Sequence, residues 1–358
     1  MRNKFLGLYS RVLCIIALFF SLPVSVFSAP TDPSLFEFDS ATGTITGFKP
    51  IGSTSGVEIP GAINGKPVTA IGDDAFAGKW LEGVGVTIPN GVTTIGDGAF
   101  QYSQLSSVTI PNSVTSIGAN AFIQCYLRSV TIPNNVTSIG EGAFSENPTL
   151  TAINVASGNT VYSSQDGVLY NRDKTTLIAW PAKKTPVNIP NSVTIIGARA
   201  FFDNQLTSLT IPNSVTRIGS FAFWRNQLTS VTIPNSVIVI GEGAFRFNKL
   251  TSIIIGNSVT SIGNSAFMGD YGGGGNSLTS VTIPNSVTSI GYDAFHDSPL
   301  TSITIGANVN LGGISSSGRN VPAFNNNTFG FDIVYNNGGK QAGTYTRANT
   351  NTTTWTRQ

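Results

Sequence analysis

Apolar residues recur along most of this chain in one fixed phrase. Residues 105–126 read LSSVTIPNSVTSIGANAFIQCY, and residues 206–227 read LTSLTIPNSVTRIGSFAFWRNQ. In the first, Leu105, Val108 and Ile110 face one way while Ser107 and Thr109 alternate between them. A period of two predicts an extended strand with one buried face. Pro111 follows and ends the ladder, because it has no N–H and holds its predecessor extended. Val114 and Ile117 mark a second short inward-facing stretch. Gly118 closes it, at a turn expected to need a positive φ. Ala121 and Phe122 then occupy a short turn, helical or otherwise, in which the small Ala allows close approach and the Phe ring fills the interior.

The phrase is periodic. The strand-end residues Ile88, Ile110 and Ile132 are 22 residues apart, as are Ile189, Ile211, Ile233 and Ile255, and then Ile283 and Ile305. A period of this size predicts a β-rich solenoid, each repeat forming one coil stacked on the last. A globular chain of 358 residues would divide into domains, whereas a solenoid core grows lengthwise and predicts one elongated unit. The interval from Gly to Phe is always four, from Gly72/Phe76 to Gly291/Phe295, nine times in all. Constant spacing predicts a continuous internal stack of rings at a coil separation of about 4.8 Å. Each buried ring contributes roughly 1.5–3 kcal/mol.

Departures from the period mark the remaining organisation. The first, VYSSQDGVLYNRDKTTLIAWP, sits in an insertion at about 156–187 and predicts a β-hairpin that projects from a coil or widens it. A Gly-rich loop over 269–276 is the second, expected to be mobile. The repeats span 57–310, and a solenoid needs both ends covered. Residues 29–56 are expected to form a β-hairpin cap that turns at Ala41 to Gly43, and residues 311–358 a cap of short strands around Asn336 to Gly339 and Ala348 to Asn351. Residues 1–28 are expected to be a signal peptide, from Arg2 and Lys4, the apolar run Val12 to Phe20, the break at Pro23 and cleavage after Ser28. Nine apolar residues are too few to span a bilayer, so no transmembrane segment is expected in the mature chain. The tail carries no sorting motif, so covalent attachment to a cell wall is not expected.

Composition narrows the function. Only 11% of residues are charged and the net charge is +2, with no basic run of the kind a nucleic-acid binder needs. After cleavage Cys125 is the one remaining cysteine, so the fold must hold without an internal disulfide. Cys125 stands where other repeats carry Asn147, Asn204, Asn226 and Asn248, a position suited to satisfying backbone groups of the next coil. His296 is the only histidine, and its variable position after Ala294-Phe295 predicts a solvent-facing residue. Without His or Cys partners no metal site, cofactor site or His-dependent triad is expected. None of the outward strand positions from Ser107/Thr109 to Ser302/Thr304 is acidic, which removes the carboxylate pairs that glycan-cleaving solenoids carry. The outward Ser/Thr ladder reflects strand preference, or alternatively a regular hydroxyl face for ice or crystals.

The pattern Leu-x-x-Val-x-Ile-Pro-x-x-Val-x-x-Ile-Gly-x-x-Ala-Phe resembles the BspA-like class of leucine-rich repeats. What the resemblance implies is a bacterial surface or secreted binding protein, often an adhesin for host or bacterial partners, with no catalytic residues to carry over. The DGVLY hairpin at 166–170 and the YNNGGKQAGTYTR segment at 335–347 are similar to elements of that class.

Function is expected where the repeats differ. The four residues after Ala-Phe read FDNQ, WRNQ and RFNK on three successive coils. Arg199, Phe202, Arg217, Trp224, Arg225, Arg246, Phe247 and Lys249 are therefore the candidate ligand-binding residues, since Trp and Arg dominate binding hot spots. Phe202 and Trp224 could instead cover the lateral edge of the core. The expected partner is a protein or glycan on a host or bacterial surface. In the glycan alternative, Trp80, Trp180, Trp224 and exposed tyrosines stack on sugar rings.

Overall fold

The computed structural model describes residues 31–49, 56–269, 275–314, 320–324, 330–352 and 354–358. The expected signal peptide and the centre of the Gly-rich loop, including Gly272, lie outside the described residues. Most coils follow the phrase of a strand, a proline, a two-residue strand, a glycine and a turn, although Gly256 and Gly306 replace the proline and no strand forms over 207–211. Ser107–Thr109 and Ser116–Ile117 are the two strands of the coil that begins at Leu105. The second strands stack in parallel register, Ile71 beside Ile95, Ile95 beside Ile117 and Ile117 beside Ile139. A second parallel series aligns Ile196, Ile218, Ile240, Ile262, Ile290 and Leu311. The chain is a β-solenoid whose β-branched residues enter the core at the same place in each coil.

The turns after glycine pair from coil to coil as well, although they are not strands. Asn120, Phe122 and Gln124 donate their N–H groups to Glu141, Ala143 and Ser145 of the next coil at 3.0, 2.8 and 3.3 Å. Asn120 and Gln124 hold positive φ values of 54° and 53°. The repeated glycine does not. Gly118 lies outside the left-handed region, but a Cβ on it would stand 2.5 Å from the amide nitrogen of Asp97 in the preceding coil. The same obstruction recurs at Gly140, 2.3 Å from the Ala119 nitrogen, and at Gly263, 2.5 Å from that of Glu242. Close stacking of backbones, rather than turn geometry, requires glycine here.

A ladder of buried amides ties the coils together. Asn226 Nδ2 donates to the Phe201 carbonyl at 2.8 Å, while its Oδ1 accepts from the Leu206 amide at 2.9 Å. Asn248 repeats both bonds with Phe223 and Leu228, and Asn147 does so with Phe122 and Leu127. Cys125 occupies the same place, its Sγ donating to the Phe100 carbonyl at 3.0 Å. Burial pushes the Cys125 thiol up to about 12, against hydrogen bonding to Ser103, so it is an inert structural thiol. Asn248→Ala would orphan one buried carbonyl and one buried N–H, each costing about 1–3 kcal/mol. The expected result is a lower urea midpoint with an unchanged slope; a midpoint shift within error would show that the backbone finds other partners.

The rings stack in two series, not the single column that the constant spacing predicts. Phe76, Phe100, Phe122 and Phe144 follow one another at 4.7, 5.2 and 5.7 Å. A second series runs from Trp180 through Phe201, Phe223, Phe245, Phe267 and Phe295 to Phe324 at 5.0–5.4 Å. Between them stands the insertion, whose strands Tyr162–Gln165, Val168–Asn171 and Thr176–Ala179 run antiparallel. It widens a coil rather than projecting, because Thr176–Ala179 pairs in parallel with Ile195–Ile196 and begins the second sheet. Asp166 and Gly167, with φ of 52° and 78°, form the tight turn. Val168 and Tyr170 enter the C-terminal core while Leu169 enters the N-terminal one. One strand thus partitions the interior, since alternate side chains point to opposite faces.

Both ends are closed by aromatic rings. Phe36–Asp39 and Thr44–Phe48 form a hairpin whose Phe48 ring lies 5.1 Å from Phe76. At the other end Phe331 meets Phe324 edge-on at 4.9 Å. The expected strand before Asn336–Gly339 is instead a helix, Phe331–Asn337. Phe331 and Tyr335, four apart, both turn into the core, and Asp332 accepts from the Ala323 and Phe324 amides. Gly343–Thr346 then pairs antiparallel with Ser302–Ile305 and covers the sheet edge.

Candidate functional site

The four positions after each Phe face different ways, and the reason is local backbone conformation. Side chains at the first lie along the lateral edge of the core: Ile123 and Phe202 are buried, Trp224 and Arg246 half-buried. The third carries the inward amide ladder. Positions two and four project outward, and position two adopts positive φ on coil after coil, at Tyr102, Gln124, Glu146, Asp203, Arg225 and Phe247. This turn edge carries nearly all the variation between repeats.

Seven of the eight candidate residues gather there. Phe202 meets Trp224 edge-on at 4.5 Å, and Trp224 lies 6.0 Å from Phe247. Arg246 sits 4.4 Å over the Phe247 ring and 5.8 Å over Trp224, while Arg199 sits over Phe202 at 5.5 Å. Burial lowers the Arg246 guanidinium below its usual value, against the charges of Asp293 and Glu242. Arg199 Nη1 also donates to Asn120 Oδ1 at 2.6 Å, so it clasps the two halves of the solenoid. Arg199, Phe202 and Arg246 are thus committed to the protein's own packing, and Arg225 and Lys249 remain exposed. Arg217 is elsewhere: it projects from the parallel sheet, between Ile195 and Val239.

A groove runs along the turn edge beside this cluster. Its largest hollow, about 540 Å³, is lined by Trp80, Tyr102, Gln104, Gln124, Tyr126, Glu146, Lys183, Asp203 and Gln205, among others. Two smaller hollows continue it. One of about 350 Å³ shares Tyr102, Gln124 and Glu146 and reaches Trp224, and one of about 380 Å³ shares Asp203 and Gln205 and reaches Phe247 and Lys249. Trp80, Tyr102 and Tyr126 are 76%, 49% and 46% exposed. Gln124 donates to Glu146, and Gln205 donates to Asp203 at 2.7 Å. Desolvation raises the Asp203 carboxyl, and the nearby Arg225 charge opposes that shift.

Two side chains depart from expectation. His296 is buried, 3% exposed, with Nδ1 2.9 Å from Asp297 Oδ2. It occupies the first position after Phe, which folds against the core edge. Trp180 is likewise buried, stacking on Phe201 and donating its indole N–H to the Lys184 carbonyl at 3.0 Å, so it offers no platform to a sugar. Among the described residues no group of three or more His, Cys, Asp or Glu side chains could hold a metal ion, and no helix is long and apolar enough to cross a membrane.

Comparison with known proteins places this architecture. The model of the BspA type leucine rich repeat region matches residues 69–185, 179–272 and 273–354. The chain belongs to the BspA-type leucine-rich repeat family. A leucine-rich repeat protein from Eubacterium ventriosum is 26% identical, with 72% of this chain and 74% of that one aligned at a TM-score of 0.58. The pneumococcal vaccine antigen PcpA is 24% identical over 74% of this chain and 67% of its own, with a TM-score of 0.51. A leucine rich cell surface protein from Faecalibacterium prausnitzii is 27% identical over 76% and 87%, with a TM-score of 0.45. No functionally curated protein matches the chain.

Within this BspA-type solenoid, the WRNQ and RFNK coils border only the smaller hollows, and the larger one lies mainly on earlier coils. The signal was present in earlier repeats: residues 77–80, 101–104 and 123–126 read AGKW, QYSQ and IQCY. They place Trp80, Tyr102 and Tyr126 at the outward positions that the later coils fill with Gln, Asp and Arg.

Proposed function

We propose that this BspA-type protein is an exported scaffold that binds macromolecules, a bacterial surface adhesin attaching to host or bacterial partners through its turn edge. The observation that carries this reading is the groove from Trp80 to Lys249, where variable side chains line an edge held by an invariant framework. Shallow contacts repeated on successive coils give affinity by accumulation. The outward strand positions from Ser107/Thr109 to Ser302/Thr304 are non-acidic and His296 is buried, so binding rather than catalysis fits the surface chemistry. The charged start and apolar run before Pro23 support export.

Binding of the purified mature protein to host matrix and bacterial surfaces tests the proposal. Arg225→Ala is expected to weaken saturable binding by about 1–2 kcal/mol, as loss of an interface arginine does. Arg225 is exposed and outside the ring stack, so the melting temperature should hold. Thr131→Ala, on the strand face, should leave binding unchanged. The absence of saturable binding to every surface would remove the reading.

A further inference from the structure

Trp80, Tyr102 and Tyr126 are three exposed rings that line the large hollow. Their φ of 34°, 57° and 55° belong to the turn itself, since Gln104, Gln124, Asp203 and Gln205 share the left-handed conformation at the same positions, and the turn aims all of them outward. Each ring projects into solvent, and among the described residues none packs against another aromatic ring. An exposed cluster of aromatic rings beside polar groups marks an interaction site.

Their placement has a repeat. Trp80 and Tyr126 are both fourth after the core Phe on coils two apart, and Gln104 holds the same position on the coil between. Two coil spacings set these rings about 10 Å apart along the groove. That is the repeat of a disaccharide unit, so alternate rings of a linear chain meet the two faces, with Gln104 on the coil between them. Tyr102 flanks the row from the second position. The polar wall suits hydroxyls rather than a charged ligand. Glu146 and Asp203 are already engaged by Gln124 and Gln205, so each pair presents an amide and a carboxylate side by side, donor and acceptor together.

From this geometry we infer that the hollow is a carbohydrate-binding groove, which takes a neutral, linear oligosaccharide lengthwise across the coils. Sugar rings stack on Trp80 and Tyr126, and their hydroxyls bond to Gln104 and to the Gln124–Glu146 pair. The inference rests on the turn edge being the binding edge and names the ligand class for its N-terminal part. A cationic peptide is the rival occupant, since aromatic faces and carboxylates also attract cations.

The test uses the full mature chain and a panel of neutral hexasaccharides: β-1,4-linked glucose, β-1,4-linked N-acetylglucosamine, β-1,3-linked glucose and α-1,6-linked mannose. Titration followed by tryptophan fluorescence and calorimetry should show saturable binding to at least one member. Trp80→Ala and Tyr126→Ala should each weaken it at least about tenfold, the loss expected at a hot-spot aromatic. Trp80→Phe should restore most of the affinity, and no variant should shift the melting temperature. No binding across the panel, unchanged affinity in Trp80→Ala, or binding of an oligolysine peptide in place of sugars would each overturn the inference. Surface attachment that depends on Arg225 and ignores competing sugar would overturn the carbohydrate groove alone and leave the adhesin reading standing.

Discussion

Phe122→Ala should destabilise the N-terminal half of the solenoid by about 3–5 kcal/mol. The ring is fully buried, with Phe100 at 5.2 Å on one side and Phe144 at 5.7 Å on the other. Both neighbours are held by backbone bonds between coils, so they cannot move together to fill the void. The partition by the inserted hairpin makes a sharper result available. Phe122 belongs to the core that ends at Leu169, and Phe223 to the core that begins at Val168. Hydrogen exchange should therefore accelerate in coils around residues 95–145 and change little around 200–290. A shift in melting below a degree would mean that the ring is not internal. Equal acceleration in both halves would mean that the hairpin couples the cores instead of separating them.

Gly219→Ala should cost about 3 kcal/mol, the upper end of overpacking penalties. The added Cβ would lie 2.6 Å from the Ala198 nitrogen, 2.7 Å from the Gly197 carbonyl carbon and 2.9 Å from the Ile196 oxygen. All three are backbone atoms of the preceding coil, so relief requires that two coils separate and that their hydrogen bonds stretch. Gly61 makes the control. A Cβ there meets only Pro89 Cβ, at 3.9 Å, and its φ lies outside the left-handed region. Gly61→Ala should change the urea midpoint little. Comparable losses at both sites would show that chain flexibility, not coil contact, sets the effect.

The two experiments separate contributions that the repeat phrase merges. Phenylalanine supplies apolar area, and glycine supplies the approach that lets this area stack. The amide ladder adds a third contribution, since Asn147, Asn226 and Asn248 satisfy backbone groups in the coil before them.

The sequence by itself determined the coil. A period of 22 with fixed intervals leaves one arrangement in which Val114, Ile117 and Phe122 all point inward, and identical coils must then stack in register. The inward role of Asn and Cys125 was legible for the same reason: a position repeated on successive coils has the same surroundings each time. Tertiary structure decided what periodicity leaves free. Spacing assigns residues to equivalent positions but not to a direction, and the left-handed residues of the turn set that direction. They fold His296 against the core edge and send Tyr102 and Arg225 outward, while Arg217 leaves from the parallel sheet on a different face. The inserted hairpin breaks the period, so its pairing could not be read from the repeat. Its Val168 and Leu169 divide the interior because a strand buried on both faces must serve two cores. The helix Phe331–Asn337 is likewise a product of the end it covers, where Phe324 offers an unpartnered ring face that Phe331 meets. The groove arises last, from outward side chains on coils that meet only once the solenoid is wound.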